Sequence, residues 1–179
     1  MALLIRRLVK EDLYPGLLQA YNRYQVVNKV WRKGPEGFIV VERPFTEDWD
    51  EALKEAIITE DFAPSLERGG MVFGAFDEDA LIVFATLLPD FFGSDGQYVQ
   101  LMQLHTSYEY RGKGLGKRLF ELCVLEAQSW GAKKIYISAH SADETQQFYR
   151  GIGCVDAKEV NQRLAELEPY DCQLEYALV

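Results

Sequence analysis

The residues Arg111-Gly112-Lys113-Gly114-Leu115-Gly116-Lys117 place three alternate glycines among cations, between an apolar run ending near Thr106 and an amphipathic run beginning at Leu115. That order reads as strand, glycine turn, helix. Glycine lets the backbone approach a ligand closely, and the new helix directs its unpaired N–H groups and the positive end of its dipole at the same spot. Such a nest suits phosphate. Arg118 adds a further cation, so positive charge gathers where the phosphate would sit. Spacing narrows the chemistry. A triphosphate-binding loop needs glycine, four residues, then Gly-Lys-Ser/Thr; Gly112 and Gly116 are separated by only three, and Arg118 stands where the magnesium-binding hydroxyl would be. A kinase or GTPase reading fails. The dinucleotide fingerprint Gly-x-Gly-x-x-Gly is also poorly met, because Gly116 comes one residue early. A tight glycine turn without a ligand stays open on this segment alone.

The elements around the loop must hold it in place. Upstream, Tyr98 to Thr106 reads as the strand that feeds the turn. Downstream, Leu119, Leu122, Cys123, Ala127 and Trp130 recur at helical spacing from Leu115, and Gly131 follows as a stop. Ile135-Tyr136-Ile137 makes the next strand, so strand, helix and strand should form a parallel, right-handed unit. Ser141 then caps a helix with Asp143 and Glu144 in its first turn, running through Phe148 and Tyr149 to Gly151. Cys154 to Val160 and Cys172 to Val179 read as closing strands, joined through a short helical stretch near Arg163 to Glu168. Met71 to Phe76 and Leu81 to Leu88 form a meander pair, followed by a loop from Pro89 to Gln97.

Toward the N-terminus, Leu3 to Leu8 reads as a strand. Asp12 is expected to cap a helix through Leu13, Leu17, Leu18 and Tyr21. Val26 to Trp31 and Phe38 to Val41 flank Gly34-Pro35-Glu36-Gly37 as a hairpin. Thr46, with Glu47 and Asp48 in the first turn, is expected to cap a helix through Leu53 to about Ile58. Helices inserted into a mixed sheet make an α/β or α+β layer fold.

Composition bounds the rest. A chain of 179 residues with 48% hydrophobic and 26% charged content is ordinary for one globular domain. No apolar run approaches the ~20 residues that span a bilayer, and Arg6 and Arg7 break the N-terminal apolar stretch, so a cytoplasmic protein is expected. Cys123, Cys154 and Cys172 are odd in number and widely spaced beside only two histidines, which supports neither a disulfide scaffold nor a metal site. A net charge of −9 disfavours nucleic acid and anionic membrane as partners. It leaves room for a cationic small molecule, although acidity also serves plain solubility.

Two motifs together make a family resemblance specific. Leu104 to Gly116, with its Arg-x-x-Gly-x-Gly loop, resembles the strand-plus-loop signature of the GNAT superfamily of acetyl-CoA-dependent N-acetyltransferases. Phe148-Tyr149-Arg150-Gly151-Ile152-Gly153-Cys154 resembles the superfamily's Phe-Tyr-x-x-x-Gly-Phe signature, at the family's separation. The resemblance spans residues 98 to 155, and the strand order from 71 to 179 agrees with it; before residue 70 the match is loose. It implies a mixed, mostly antiparallel, twisted sheet of six to seven strands flanked by about four helices, all in one domain over 1–179. Residues 26–43 then stand as a hairpin insertion near the substrate side. Tyr108 replaces a frequent proline and Cys154 a frequent phenylalanine. Ala142 stands where the family often has asparagine, so a hydrogen bond to the pantetheine arm would fall to Ser141.

What the resemblance implies is acetyl transfer from acetyl-CoA, a co-substrate, to a primary amine, with no metal. Arg111, Gly112, Lys113, Gly114, Leu115, Gly116 and Lys117 would bind the pyrophosphate. Leu104, Thr106, Ser141 and Phe148 would line the rest of the cofactor site, with an amide N–H near Thr106 facing the thioester oxygen. Tyr149 has a hydroxyl whose reference pKa is about 10, suited to protonate the leaving thiolate. The general base is less clear. His105 has a suitable intrinsic pKa, but its side chain could face either layer and a bulge would flip that choice. Glu109 and Asp90 are weaker candidates, a water relay is another route, and His140 reads as a loop residue. Tyr21, Tyr24, Trp31, Phe91 and Phe92 could wall the acceptor pocket through cation–π contacts, or serve simply as core. The acceptor would be a small-molecule amine, with a protein or peptide amine as the alternative. The chain would act as a monomer or homodimer. A non-catalytic CoA-binding module of the same fold is the competing class.

Overall fold

A computed structural model describes residues 2–179. Nine strands occur, β1 (Leu3–Arg7), β2 (Gln25–Gly34), β3 (Gly37–Glu47), β4 (Met71–Asp77), β5 (Ala80–Leu87), β6 (Tyr98–Thr106), β7 (Lys134–Ala139), β8 (Val155–Asp156) and β9 (Cys172–Ala177). The helices are α1 (Glu51–Ala56), α2 (Ala63–Glu67), α3 (Leu115–Ser129), α4 (Asp143–Gly151) and α5 (Gln162–Leu167), and a π-turn, Ile57–Phe62, joins α1 to α2. Seven strands form one sheet in the order β1-β4-β5-β6-β7-β9-β8, while β2 and β3 pair separately as a hairpin. Every neighbouring pair in the large sheet is antiparallel except β6 and β7, which are parallel across the crossover helix α3.

Apolar runs explain which strands are central. β4 and β5 are apolar at nearly every position and buried almost throughout, as strands covered on both faces must be. Leu115, Leu119, Phe120, Cys123 and Ala127 of α3 cover one face, against Ala75, Val83, Ala85, Val99, Leu101, Ile135 and Ile137. Leu17, Leu18, Tyr21, Ile57, Ile58 and Phe62 cover the other, against Val72, Phe76, Leu81 and Phe84. All three cysteines are free and buried.

The segment from Tyr98 to Gly151 follows the sequence expectation except at the start of α4. The N-terminal third departs from it. No α-helix forms over Leu13 to Tyr21; Pro15 and Gly16 interrupt the run, Gly16 adopts φ +94°, and the chain proceeds by turns that still bury Leu17, Leu18 and Tyr21. Asp12 instead ends the short 3-10 turn Lys10–Asp12, accepting the Val9 N–H at 2.7 Å and pairing with Arg6. The hairpin is longer than expected, so Thr46 and Glu47 lie in β3. Asp50 is the cap of α1, accepting the Leu53 N–H at 2.8 Å. Ser141 is not a cap either: α4 starts after Ala142, whose side chain makes no cap bond. The closing strand expected from Cys154 to Val160 shrinks to Val155–Asp156.

Candidate functional site

β6 and β7 pair only over Tyr98, Val99 and Gln100 against Lys134, Ile135 and Tyr136. Beyond that point β6 keeps β5 on one side and loses β7 on the other, so the sheet opens into a V. The Ser107 N–H donates to the Ile82 carbonyl at 2.8 Å, which places Ser107 in a bonded pair with β5. Alternation along the ladder then turns the N–H groups of Leu104 and Thr106 toward the open side. These are backbone donors in the place where the resemblance puts the thioester oxygen.

The glycine loop lies at the end of this V. Gly112 and Gly114 adopt φ +76° and +78°, and a Cβ on either would meet nothing within 4 Å, so the loop surface is open. Gly114 is the cap residue of α3 and offers no side-chain bond, which leaves the first N–H groups of a 15-residue helix for an anion. Gly116 sits deeper: a Cβ there would lie 3.5 Å from the Phe148 ring and 3.6 Å from Thr106 Oγ1. Loop, β6 and α4 therefore meet around Gly116, Thr106 and Phe148. Lys113 and Lys117 are exposed. Arg111 is different. Its Nε donates to the Thr106 carbonyl at 2.9 Å, Nη1 to Tyr24 at 2.7 Å and Nη2 to Arg23 at 3.0 Å. Each guanidinium nitrogen thus donates to a backbone carbonyl, and Arg111 clamps the end of β6 to the segment from Arg23 to Tyr24. The first amides of α3 and the exposed Lys113 and Lys117 are the other groups of the loop that could hold a pyrophosphate.

Tyr149 is 6% exposed and packs between Phe148, at 5.2 Å between ring centroids, and Phe120, at 6.5 Å. Burial, helped by Cys154 and Cys123 nearby, raises its hydroxyl well above the usual tyrosine range. The hydroxyl is therefore held in its protonated form. Ser141 is buried, and its hydroxyl accepts from Arg32 Nη1 at 2.8 Å while its carbonyl accepts the Trp31 N–H at 2.8 Å.

The side-chain direction of His105 is set by a bulge. Leu87 pairs with Leu101 but Thr86 pairs with Gln103, so Met102 is an extra residue on β6. Without it His105 would face α3. With it the imidazole lies on the opposite layer, edge-on to Trp49 at 4.9 Å and 5.5 Å from Phe84. Burial, with Arg23, Arg111 and His140 nearby, pushes its pKa down to about 3. This environment favours the neutral imidazole. Glu109 is exposed and held by Asn22 at 2.8 Å, and Asp90 is ion-paired with Arg68.

The expected acceptor walls separate. Tyr21 stacks on Trp49 at 5.5 Å, and Tyr24 lies edge-on to Tyr108 at 5.9 Å. Trp31 sits at the start of α4, donating to Asp143 at 2.9 Å beneath the Arg150 guanidinium. Phe92 is not brought to the V: it packs on Tyr98 and Tyr136 where β6 and β7 still pair, and its neighbour Phe91 is exposed. Sequence reasoning missed Arg23, Glu47, Trp49 and His140. Glu47 accepts from Arg23 Nη2 and lies 2.8 Å from His140 Nε2, and Arg23 lies over the Trp49 ring at 5.4 Å. Extending the hairpin regularly outward from its turn would have paired Gln25 with Thr46; the register shift between Val27 and Lys29 brings Glu47 opposite Gln25 instead, so no signal in the sequence pointed to this group.

Among the described residues no His, Cys, Asp or Glu group is arranged to hold a metal ion, and no helix is long and apolar enough to cross a membrane. No curated protein sequence matches the chain significantly. Among solved structures, a streptothricin acetyltransferase candidate of Bacillus anthracis, in complex with acetyl coenzyme A, superposes with a TM-score of 0.71 at 18% identity, covering 99% of this chain and 98% of that one. Nourseothricin acetyltransferase gives 0.67 at 18% identity over 99% and 98%. An aminoglycoside 6'-N-acetyltransferase complexed with coenzyme A gives 0.54 at 15% identity over 69% and 81%. The sequence profile of the acetyltransferase (GNAT) family matches residues 29–154, and the chain belongs to that family.

Proposed function

We propose that the protein transfers an acetyl group from acetyl-CoA directly to a primary amine of a small molecule, with Tyr149 as general acid. The observation that carries this reading is the V between β6 and β7, with the orphan N–H groups of α3 at its end and free β6 amides along its edge. The first turn of α3 would hold the pyrophosphate, and Gly116, Thr106 and Phe148 would flank the arm leading to the thioester. The neutral amine attacks the thioester carbon from the His105 side of the sheet. The developing oxyanion accepts the Thr106 N–H. As the carbon–sulfur bond breaks, the thiolate takes the Tyr149 proton, and the surplus proton on the new amide nitrogen returns to the tyrosine through solvent. Structural neighbours named for streptothricin, nourseothricin and aminoglycoside acetylation support a small-molecule acceptor.

Calorimetric titration with acetyl-CoA, followed by thiol release over a panel of amines, tests the proposal. Binding with turnover is expected. No binding refutes it, and binding without turnover on any amine favours the non-catalytic module. Tyr149→Phe should keep acetyl-CoA affinity and slow transfer by about a hundredfold; an unchanged rate removes Tyr149 from the mechanism.

A further inference from the structure

We infer that Glu47, at the end of the hairpin, receives the acceptor amine in its ammonium form at the mouth of the V. The inference rests on the proposed amine acetylation and adds the group that selects the amine.

The hairpin crosses the mouth of the V. At one end the Tyr108 N–H donates to the Asn22 carbonyl at 2.8 Å, and Arg111 holds the carbonyls of Arg23 and Tyr24, all beside the end of β6. At the other end Val30 bridges to Ala142, and the Trp31 N–H reaches the Ser141 carbonyl at 2.8 Å, just past the end of β7. The return strand brings Glu47 back opposite Gln25, to the start of this crossing. Its carboxylate is then fixed from both sides. Arg23 Nη2 donates to Oε2 at 2.8 Å. His140 Nδ1 accepts the Ala142 N–H at 3.0 Å, so the ring proton is on Nε2, which donates to Glu47 Oε1 at 2.8 Å.

Each carboxylate oxygen has one partner and a free lone pair, and the Glu47 side chain is 32% exposed while that of Arg23 is 8% exposed. The carboxylate therefore presents the open face of the pair. Asp171, half-buried near Glu47 and His140, adds a second carboxyl to a group that also holds the cations Arg23 and Arg111. Trp49 follows two residues later and runs from Arg23 to the edge of His105. Around this ring lie two sealed polar atoms without a partner, Tyr21 Oη and Arg23 Nε. An alkyl amine arriving protonated meets a carboxylate and an aromatic ring, the two groups that hold ammonium. It gives its proton to water at the open mouth and passes along Trp49 to the uncharged His105.

The test compares tyramine, an ammonium at neutral pH, with aniline, which is neutral there, in wild type, Glu47→Gln and the double variant Arg23→Gln/Glu47→Gln. Calorimetry with CoA present measures amine binding, and thiol release measures transfer. Glu47→Gln is expected to weaken tyramine by about tenfold or more in binding and in kcat/KM, and to leave aniline and acetyl-CoA unchanged. The double variant, which removes the buried cation together with its partner, is expected to keep that selective loss. Equal loss on both amines, or no loss on tyramine, overturns the inference, as does recovery of tyramine in the double variant, which would reduce Glu47 to a counter-ion for Arg23. A wild type that binds acetyl-CoA but acetylates and binds neither amine also overturns it. Failure to bind acetyl-CoA at all is a different result and overturns the functional reading beneath it.

Discussion

Arg111→Gln separates two roles that the sequence cannot distinguish. As a phosphate ligand, Arg111 would contribute chiefly to acetyl-CoA affinity. As a clamp it contributes to stability, because Nε and Nη2 make part-buried bonds to the Thr106 and Arg23 carbonyls, and Nη1 makes an exposed bond to Tyr24. Two charge-assisted bonds at about 1.5 kcal/mol each, plus a small exposed contribution, give a loss of about 3 kcal/mol. For a domain of this size that lowers Tm by about 6 to 12 °C. Urea unfolding should show the loss as a lower midpoint at unchanged slope. Calorimetry of acetyl-CoA should show less than a threefold change in affinity for Arg111→Gln, with an unaltered dependence on salt. Lys113→Gln and Lys117→Gln should instead weaken binding, flatten its salt dependence and leave unfolding alone, since both lysines are exposed at the loop. An unshifted unfolding midpoint for Arg111→Gln, together with a large loss of affinity, would refute the reasoning and return Arg111 to the phosphate.

Two further predictions concern His105 and the cap of α1. The folded pKa of His105, about 3, lies below its ordinary value of 6.5, so the native state binds fewer protons than the unfolded chain. Its contribution is complete well above pH 6.5 and is lost as the pH falls toward 3, by about 1.4 kcal/mol at one unit below 6.5. His105→Gln should remove that part of the acid sensitivity in urea unfolding at several pH values. Asp50→Ala should cost about 1 kcal/mol of stability, because Asp50 caps α1, while Thr46→Ala in β3 should cost less than half as much; the order of the two melting temperatures decides between the caps.

Local signals in the sequence determined the central third of the molecule. The strand over Tyr98 to Thr106, the turn at Gly112 and Gly114, and the helix from Leu115 to a stop at Gly131 are each specified by residues within a few positions. Periodicity and glycine chemistry act over that range. The two motifs that identify the family lie in or beside this segment, so the family was legible before any coordinates. The same reasoning failed over Leu13 to Tyr21, where apolar spacing suggested a helix but Pro15 and Gly16 broke it, and burial of the same side chains was met by turns.

The acceptor half was decided only by tertiary structure. Which layer His105 faces depends on one extra residue, Met102, and strand register is a property of the pair β5 and β6 rather than of either sequence. Arg111 donates to backbone carbonyls because the segment from Arg23 to Tyr24 runs beside the end of β6, a contact across 87 residues of chain. Phe92 packs on Tyr98 and Tyr136, where β6 and β7 still pair, away from the opening of the V. Arg23, Glu47 and His140 form one network only when the hairpin folds back and crosses the V. The proposed phosphate nest is built from consecutive backbone groups and can be read from a string of residues; the proposed amine site is assembled from side chains on separate elements, and only their packing brings them together.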